Sequence, residues 1–348
     1  MAARKKLVRL TSLIFVVLLA FAGYWIYINL YKPNVNLEGK NYKYVFIKSN
    51  STYEELLSAL YDENVIENHK TFEFMAKEMD LSQNIHPGRF RIQEKMNNRQ
   101  IIIMLKNNKQ EKVKLTINSQ IHNTEELVAY LDNKLELDGD AVEDILADET
   151  VLEKECGLDP GNVMALFLPN VYEVSWAISK DELFNEFKTY FNSVWNKTRL
   201  ERAKKIGYSV PQVMTIASIV QSESGIETEQ QKIAGVYINR LKKEMPLQAD
   251  PTLKFANGNY DVQRVTNADK EIDSPYNTYK YKGLPPGPIC LVKTQAIDAV
   301  LNYAKHSYIF FCAKPDFSGY SDFTASYDAH CKNAANYQKA LDKRGIHR

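Results

Sequence analysis

Cysteine and histidine are scarce in this 348-residue chain, and neither residue is spaced as a metal site requires. The four cysteines include no C-x-x-C pair, and the six histidines form no H-E-x-x-H motif. We therefore predict neither a metal site nor a cofactor. The cysteines allow either a disulfide, for which four residues give three connectivities, or buried free thiols. They stand at Cys156, Cys290, Cys312 and Cys331.

The chain also lacks an excess of charge of either sign. Its 44 basic side chains nearly balance its 43 acidic ones, and no long basic block follows the N-terminus. Proteins that bind nucleic acid usually carry a basic surface that neutralises phosphates. Nucleic acid is therefore excluded as an expected partner.

Long uncharged apolar runs are absent except near the N-terminus, where one extends from Leu10 to Leu30. Basic residues precede the run at positions 4, 5, 6 and 9, and Tyr24, Trp25 and Tyr27 lie toward its far end. This length spans a bilayer, and the basic flank keeps the N-terminus in the cytoplasm.

We predict a cytoplasmic tail at 1–9, a transmembrane anchor in the lipid bilayer at 10–30 and a linker at 31–42. The rest of the chain then lies on the extracytoplasmic, or periplasmic, side of the cytoplasmic membrane. Two alternatives stay open. The residues Ala20-Phe21-Ala22 fit the cleavage site of a signal peptide, and an apolar helix can also be buried in a protein core.

Beyond the linker, the pattern of apolar residues and helix caps predicts an α+β fold. A strand at 43–47, a capping box at 52–55, a helix near 70–79, a strand at 88–92 and a helix near 98–106 form a compact unit at 43–110. A further α/β part at 111–205 contains strands at 112–117 and 167–172 and helices capped at Asn123 and Ser179.

The segment 274–289 has four prolines, Gly283 and Gly287, and predicts a rigid, irregular loop. It also concentrates hydroxyl, amide and aromatic side chains that suit a polar, ring-shaped ligand such as a sugar. The alternative is a structural crossover loop. The polar and aromatic candidates are Ser274, Tyr276, Asn277, Thr278, Tyr279 and Tyr281.

A helix predicted to start at Ser209 carries the candidate catalytic residue, Glu223. Glu223 shares a helix face with the apolar Ile219 and Val220, so partial burial would raise its pKa and suit it to general acid catalysis of glycosidic bond cleavage. The alternative is a frayed, solvated helix end. In the first turn of the next helix, Glu227 and Glu229 are expected to be surface charges.

Four blocks of this region resemble the endolytic murein transglycosylases, the YceG-like family. They read ASIVQSE at 217–223, VYINRL at 236–241, LQADPT at 247–252, and the loop at 274–289. The apolar run resembles the family's anchor, and the unit at 43–110 resembles its LysM-like glycan-binding subdomain. The chain departs from the family pattern at Asn170, Val171, Ser326 and Ala329.

The resemblance implies a catalytic core at 206–348 in which Glu223 is the single catalytic residue. It implies cleavage of the β-1,4 bond between N-acetylmuramic acid and N-acetylglucosamine in nascent peptidoglycan, with 1,6-anhydro ends, and coupling to peptidoglycan synthases. The alternatives are a non-catalytic scaffold and a two-carboxylate hydrolase that uses Glu223 with Asp250. The implied substrate-binding residues are Asn239, Gln248, Asp250, Ser274, Tyr276, Asn277 and Thr278.

Overall fold

The computed structural model describes residues 2–137, 143–144, 149–260, 262 and 265–345. Internal contacts divide the chain into two compact units. The N-terminal unit comprises Met1–Lys114, Lys134–Glu136 and Glu173–Ile178, and the C-terminal unit comprises Leu115–Asn133, Leu137–Tyr172 and Ser179–Arg348. The predicted mixture of helix and sheet is confirmed. The domain limits placed at 110 and 205 stay predictions.

The chain starts with helix α1 (Ala2–Ile26), which continues into a π-helical turn at Tyr27–Tyr31. The stretch Arg9–Tyr31 is helical, long and apolar enough to cross a membrane, and almost all of it is exposed. Within the π-helical turn, Asn29 is buried, and its side-chain amide donates to the backbone carbonyl of Trp25 at 2.8 Å.

Two strands, three α-helices and a short 3-10 helix at Leu81–Gln83 form most of the rest of the N-terminal unit. The strands pair antiparallel with Val45 opposite Phe90, and alternate residues of each strand enter the core, as period-two burial requires. The elements are β1 (Tyr42–Ile47), α2 (Tyr53–Asp62), α3 (His69–Glu78), β2 (Gly88–Gln93) and α4 (Asn98–Lys106).

The predicted capping box at the start of α2 is confirmed. Thr52 accepts from the amide of Glu55, and the Glu55 carboxylate accepts from the amide of Thr52. These two bonds satisfy backbone donors that a helix N-terminus leaves unpaired. The core beneath is built from aliphatic and aromatic side chains such as Leu60, Phe72 and Phe90, which have no exposed area.

An asparagine network joins the end of the apolar helix to α3 and α4. Asn98 donates to the carbonyl of Asn29 at 2.8 Å, and Asn34 donates to the side-chain oxygen of Asn98 at 2.7 Å. The side chain of Asn34 also accepts from the amide of Asn68, the N-cap of α3, at 2.7 Å. Asn98 and Asn34 are buried, so each bond satisfies a polar group that water does not reach.

Two other sheets have two strands each, β3 paired with β4 and β5 with β6. The strands are β3 (Val113–Ile117), β4 (Asn170–Val174), β5 (Phe310–Ala313) and β6 (Ser321–Thr324). The helices are α5 (Thr124–Lys134), α6 (Glu149–Cys156), α7 (Lys180–Val194), α8 (Lys197–Ile206), α9 (Val210–Glu223), α10 (Glu227–Lys242), α11 (Asp250–Ala256), α12 (Thr294–Leu301) and α13 (Tyr327–Lys343).

Helices α9, α10 and α12 pack against one another and form the centre of the C-terminal unit. Every residue of α9 from Val213 to Val220 is buried. On α10, Gly235 allows a close approach, because a Cβ there would lie 2.4 Å from the carbonyl oxygen of Ala304. The helices therefore give the end of α9 a rigid support.

Three local predictions need correction. Glu229 is buried, because its carboxylate accepts from the amide of Ser321 at 2.8 Å and pairs with Lys232 at 3.1 Å. The strand predicted at 167–172 lies at Asn170–Val174, because the preceding Phe167 and Leu168 are buried in the core outside the strand. Cys331 is exposed, so the expectation of buried thiols is wrong there, although Cys290 is buried.

Candidate active site

Glu223 is the last residue of α9, and the helix start fixes its position. Ser209 and Gln212 form a capping box, and Ser224 leaves the helix in an extended conformation. The Glu223 side chain is half-buried, and its Oε1 accepts a 2.7 Å hydrogen bond from the hydroxyl of Tyr237 on α10. The alternative of a frayed, solvated helix end is therefore wrong.

The pKa of Glu223 is raised to about 7. Burial is the main cause, because it penalises the charged carboxylate, and the negative charge of Asp250 raises the pKa further. The hydrogen bond from Tyr237 and the positive charge of Lys254 oppose the shift. Near neutral pH the carboxyl can therefore exist in both protonation states.

Tyr237 is a buried residue with a defined hydrogen-bonding role. Burial and the neighbouring Glu223 raise the pKa of its hydroxyl well above the usual value, so this group stays protonated and donates. Its ring packs edge to face against Phe311 with centroids 5.9 Å apart. The ring is thus fixed in direction, and so is the oxygen of Glu223 to which it donates.

Asp250 opens α11 and accepts a 2.5 Å hydrogen bond from the hydroxyl of Tyr279. Burial and the charge of Asp250 raise the pKa of Tyr279, and the charge of Glu223 raises it further. The three groups therefore lie within electrostatic reach of one another. Because Tyr279 belongs to the proline-rich loop, this loop reaches the surroundings of Glu223.

Gln248 has a left-handed backbone conformation, with φ of 52°. Its side-chain oxygen accepts a hydrogen bond from the guanidinium of Arg240 on α10 at 2.5 Å. Its backbone N–H donates to the backbone carbonyl of Thr278 at 3.0 Å. Left-handed backbone is unfavourable for a residue with a Cβ. These bonds hold Gln248 in this conformation next to Asp250.

Several of the predicted substrate-binding side chains brace the protein. Asn277 has no exposed area and donates to the carbonyls of Lys270 and Ile272, both at 2.8 Å. The hydroxyl of Thr278 is buried and accepts from the amide of Ala249 at 3.0 Å. These bonds fix the loop from within.

The other predicted substrate-binding residues described, Ser274, Tyr276 and Asn239, are less buried than Asn277 and Thr278. Ser274 accepts from the amide of Tyr276 at 3.2 Å, and the Tyr276 ring packs against Phe255 with centroids 4.6 Å apart. Asn239 donates to the carbonyls of His306 and Tyr308, at 2.8 and 2.9 Å. Substrate contact by any of the predicted binding residues stays a prediction.

A cavity of about 320 Å³ lies beside the end of α9. Its walls combine polar, cationic and aromatic groups. Gln221 fixes one wall, since its side chain donates to the carbonyl of Leu291 at 3.1 Å and accepts from the amide of Lys293 at 2.7 Å. Residues that line the cavity include Gln221, Ser222, Lys254, Phe255, Tyr260 and Lys293.

Sequence reasoning did not single out Tyr237 or Lys254 as part of the site. Tyr237 lies on the apolar face of α10, so its position predicts an ordinary core residue. Lys254 lies in a short helix, where its charge predicts a surface residue. No spacing connects either residue to Glu223. Among the described residues, no group of three His, Cys, Asp or Glu side chains is placed to hold a metal ion.

A model of the YceG-like family matches residues 45–336. The endolytic murein transglycosylase of Bacillus subtilis strain 168 is 42% identical over 141 residues, which cover 40% of this chain and 38% of the relative. The endolytic murein transglycosylase of Streptococcus pneumoniae strain R6 is 26% identical over 364 aligned positions, which cover 94% of this chain and 64% of the relative. The matches thus span less than two thirds of these relatives.

A crystal structure of a YceG-like protein from Listeria monocytogenes has a similar fold. The two proteins superpose with a TM-score of 0.55 at 27% identity, over 84% of this chain and 99% of the other. The family match includes Glu223, Tyr237, Asp250 and the loop that reaches them. Since this match extends over far more than half of the sequence, the chain belongs to the YceG-like family.

Proposed function

We propose that this protein is a membrane-anchored endolytic transglycosylase that cuts nascent peptidoglycan strands. The observation that carries the proposal is the carboxyl of Glu223, whose pKa is raised to about 7 and which Tyr237 holds at the end of the helix whose residues Gln221 and Ser222 line a polar cavity. The names of the Bacillus and Streptococcus relatives support the reaction. The exposed apolar helix supports an anchor, with the remaining chain outside the cytoplasm.

In the first step, protonated Glu223 acts as a general acid. It gives its proton to the glycosidic oxygen as the bond from that oxygen to C1 of N-acetylmuramic acid breaks, and N-acetylglucosamine leaves with a free 4-hydroxyl group. Because Tyr237 donates to Oε1, the proton is carried by Oε2. A pKa near the working pH favours this step, since the acid is present and readily gives up its proton.

In the second step, Glu223 acts as a base. The carboxylate takes the proton of the muramoyl C6 hydroxyl while the C6 oxygen bonds to C1, which yields a 1,6-anhydro end. The proton lost in the first step is thereby restored, and no water is consumed. One carboxyl group performs both steps, so the paired carboxylates of ordinary glycosidases are not needed.

Asp250 supplies negative charge close to the reacting carbon. Its hydrogen bond from Tyr279 fixes the carboxylate in position, and an oriented carboxylate stabilises the oxocarbenium-like charge that develops at C1. Arg240 orients Gln248 alongside it. The braced loop presents these groups in a fixed arrangement, so little ordering is required when the glycan binds.

The N-terminal unit acts as a LysM-like glycan-binding module. Its order of strand, two helices and strand, with the two strands antiparallel, supports this assignment. The module holds the strand whose bond is cleaved in the C-terminal unit. We also propose that peptidoglycan synthases are partners, because they make the strands on the same side of the membrane.

The decisive experiment is digestion of purified glycan strands by the wild type and by Glu223→Gln, with mass spectrometry of the products. We expect internal cuts with anhydro ends from the wild type, and at least about a hundredfold slower release from the variant. Glu227→Gln, which changes an exposed carboxylate four residues away, should retain activity. Equal release by Glu223→Gln would contradict the assigned role.

The product ends also separate the alternatives. Reducing ends would indicate a hydrolase that uses Glu223 with Asp250. Binding to cell walls without new chain ends would indicate a scaffold. Either result would overturn the proposed transglycosylase reaction.

A further inference from the structure

Helix α3 of the N-terminal unit contacts the apolar N-terminal helix at the depth of its aromatic end. The rings of Phe74 and Trp25 meet edge to face, with centroids 5.1 Å apart. Phe74 nevertheless keeps 40% of its surface exposed, and Trp25 keeps 45%. Aromatic residues at the end of a membrane span concentrate at the level of the lipid headgroups. Phe74 therefore contacts the end of the helix that the proposed anchor would place at that level.

The asparagine network makes this contact a rigid one. Asn98 connects α4 to the carbonyl of Asn29, while Asn34 connects Asn98 to the start of α3 at Asn68. Breaking any of these bonds would leave a buried amide without a partner, which is unfavourable. The network fixes the orientation of α3 relative to the end of the span.

Positive charges flank Phe74 on the exposed side of α3. Lys70 and Lys77 stand four residues before and three residues after Phe74, so they share its helix face. Arg99 directly follows the network residue Asn98 and is also exposed. Within the described ranges, no ion pair involves these three cations. Glu78 is an acidic group on the same side of α3.

We propose that α3 docks on the surface of the membrane that the N-terminal helix crosses. Phe74 lies in the headgroup layer beside Trp25, while Lys70, Lys77 and Arg99 contact the phosphates of acidic phospholipids. An aromatic residue flanked by lysines on one helix face is typical of helices that lie in the membrane interface. The inference rests on the proposed anchor and is independent of Glu223 and its reaction.

Quenching of tryptophan fluorescence by brominated lipids tests the depth of Phe74. The full-length protein carries Trp25→Phe, so that Trp176 and Trp195 supply the background, and is reconstituted in vesicles with bromine near the headgroup end of the acyl chains. Adding Phe74→Trp should give a fluorophore that is quenched at least about twice as strongly as the background.

The matched control is Phe46→Trp in the same background. Phe46 is 42% exposed, and it lies on β1 four residues beyond Tyr42, about 14 Å farther from the strand end that adjoins the linker. We expect no extra quenching at this position. Equal quenching at the two positions, or none at Phe74→Trp, would overturn the docking of α3.

Hydrogen exchange tests the role of charge. Backbone amides of α3 should exchange more slowly in vesicles with acidic phospholipid than in purely zwitterionic vesicles, by about fivefold for each lysine that contacts phosphate. Lys70→Gln with Lys77→Gln should abolish the difference. The charge-matched pair Lys48→Gln with Lys112→Gln, at the opposite end of β1, should preserve it.

The outcomes separate the lipid surface from other partners, because the vesicles contain no other protein. Protection that is the same in both vesicle types would show that acidic lipids are not recognised. Protection that requires an added membrane protein would assign this face to a protein partner. Thermal unfolding midpoints equal to that of the wild type would show that the lysine variants are folded, so loss of protection would then report on docking.

Discussion

Tyr237, in the interior of α10, donates a 2.7 Å hydrogen bond to Oε1 of Glu223, the last residue of α9 and 14 positions earlier in the chain. The bond favours the charged carboxylate, whereas burial of the same carboxyl favours the neutral acid. Burial is the stronger effect, and the pKa settles at about 7. This balance gives predictions that can be tested one residue at a time.

The first prediction concerns the pH dependence of cleavage. In the proposed mechanism Glu223 is protonated when it meets the substrate, so kcat/KM should fall as pH rises through about 7, with a tenfold loss per pH unit above it. The measurement is the rate of anhydro-end formation from pH 5 to 9. A rate that stays constant up to pH 9 would be incompatible with the raised pKa.

The second prediction concerns stability. The folded protein binds the Glu223 proton more tightly than the unfolded chain, whose glutamate has its usual pKa of 4.5. The free energy of unfolding therefore decreases as pH rises from about 4.5 to about 7. Glu223→Gln removes this penalty and should be more stable than the wild type at pH 8, by about 1–3 kcal/mol after allowance for partial exposure.

The check on stability is the thermal midpoint of the wild type and of Glu223→Gln at pH 4 and pH 8. We expect equal midpoints at the lower pH and a higher midpoint for the variant at the upper pH. Glu227→Gln serves as the control, because Glu227 is exposed. A variant midpoint below that of the wild type at pH 8 would argue against a buried carboxyl.

A third prediction concerns Tyr237→Phe. The change removes a hydrogen bond that lowers the pKa of Glu223, so the alkaline limb of the pH profile should move to higher pH. The maximal rate should fall roughly tenfold, because the carboxyl loses its fixed orientation. Tyr308→Phe, a change of a more exposed tyrosine, is the control. If the alkaline limb of the pH profile does not move, Tyr237 only packs in the core and does not set the pKa of Glu223.

A fourth prediction concerns Asp250, whose replacement should shift the alkaline limb of the pH profile in the opposite direction to that of Tyr237→Phe. The charge of Asp250 raises the pKa of Glu223, so Asp250→Asn should move the alkaline limb to lower pH. Tyr279→Phe keeps that charge and should leave the limb nearly in place, although it frees the carboxylate. Comparison of the two single variants and the double variant would isolate the contribution of charge from that of orientation.

A fifth prediction concerns the packing that supports the site. In Gly235→Ala the new methyl group would meet the carbonyl oxygen of Ala304 at 2.4 Å and the His306 ring at 2.6 Å. Because part of this contact is backbone, we expect a loss of about 1–3 kcal/mol of stability. Gly225→Ala meets no atom within 4 Å and is the control for thermal unfolding. Equal stability of both variants would contradict this packing.

Local signals in the sequence predicted much of the fold. The capping boxes at Thr52 and Ser179, and the N-cap Ser209 followed by Pro211, placed three helix starts correctly, because these signals act within the first turn of a helix. The burial of Glu229 could not be predicted this way. It depends on Ser321, which lies 92 residues later and reaches α10 only through the tertiary fold.

The same limit applies to the site. The sequence singled out Glu223 because its apolar neighbours lie on the same helix face, and it singled out the loop because its prolines are conspicuous. The roles of Tyr237 and Tyr279 depend on the meeting of separate elements, which periodicity does not encode. The bracing roles of Asn277 and Thr278 likewise depend on the tertiary fold, because both side chains are buried and bond to other parts of the chain, while their contact with substrate stays a prediction.

The bonds from Gln221 to Leu291 and Lys293 join parts of the chain that are 70 and 72 residues apart. Contacts over such separations require closure of a long loop, so the surrounding packing must offset the entropy lost on closure. The two bonds connect the cavity wall at residues 289–293 to the last turn of α9, two residues before Glu223. Loss of these bonds would therefore disturb the cavity wall and the end of α9 together, although neither bond involves the carboxyl of Glu223.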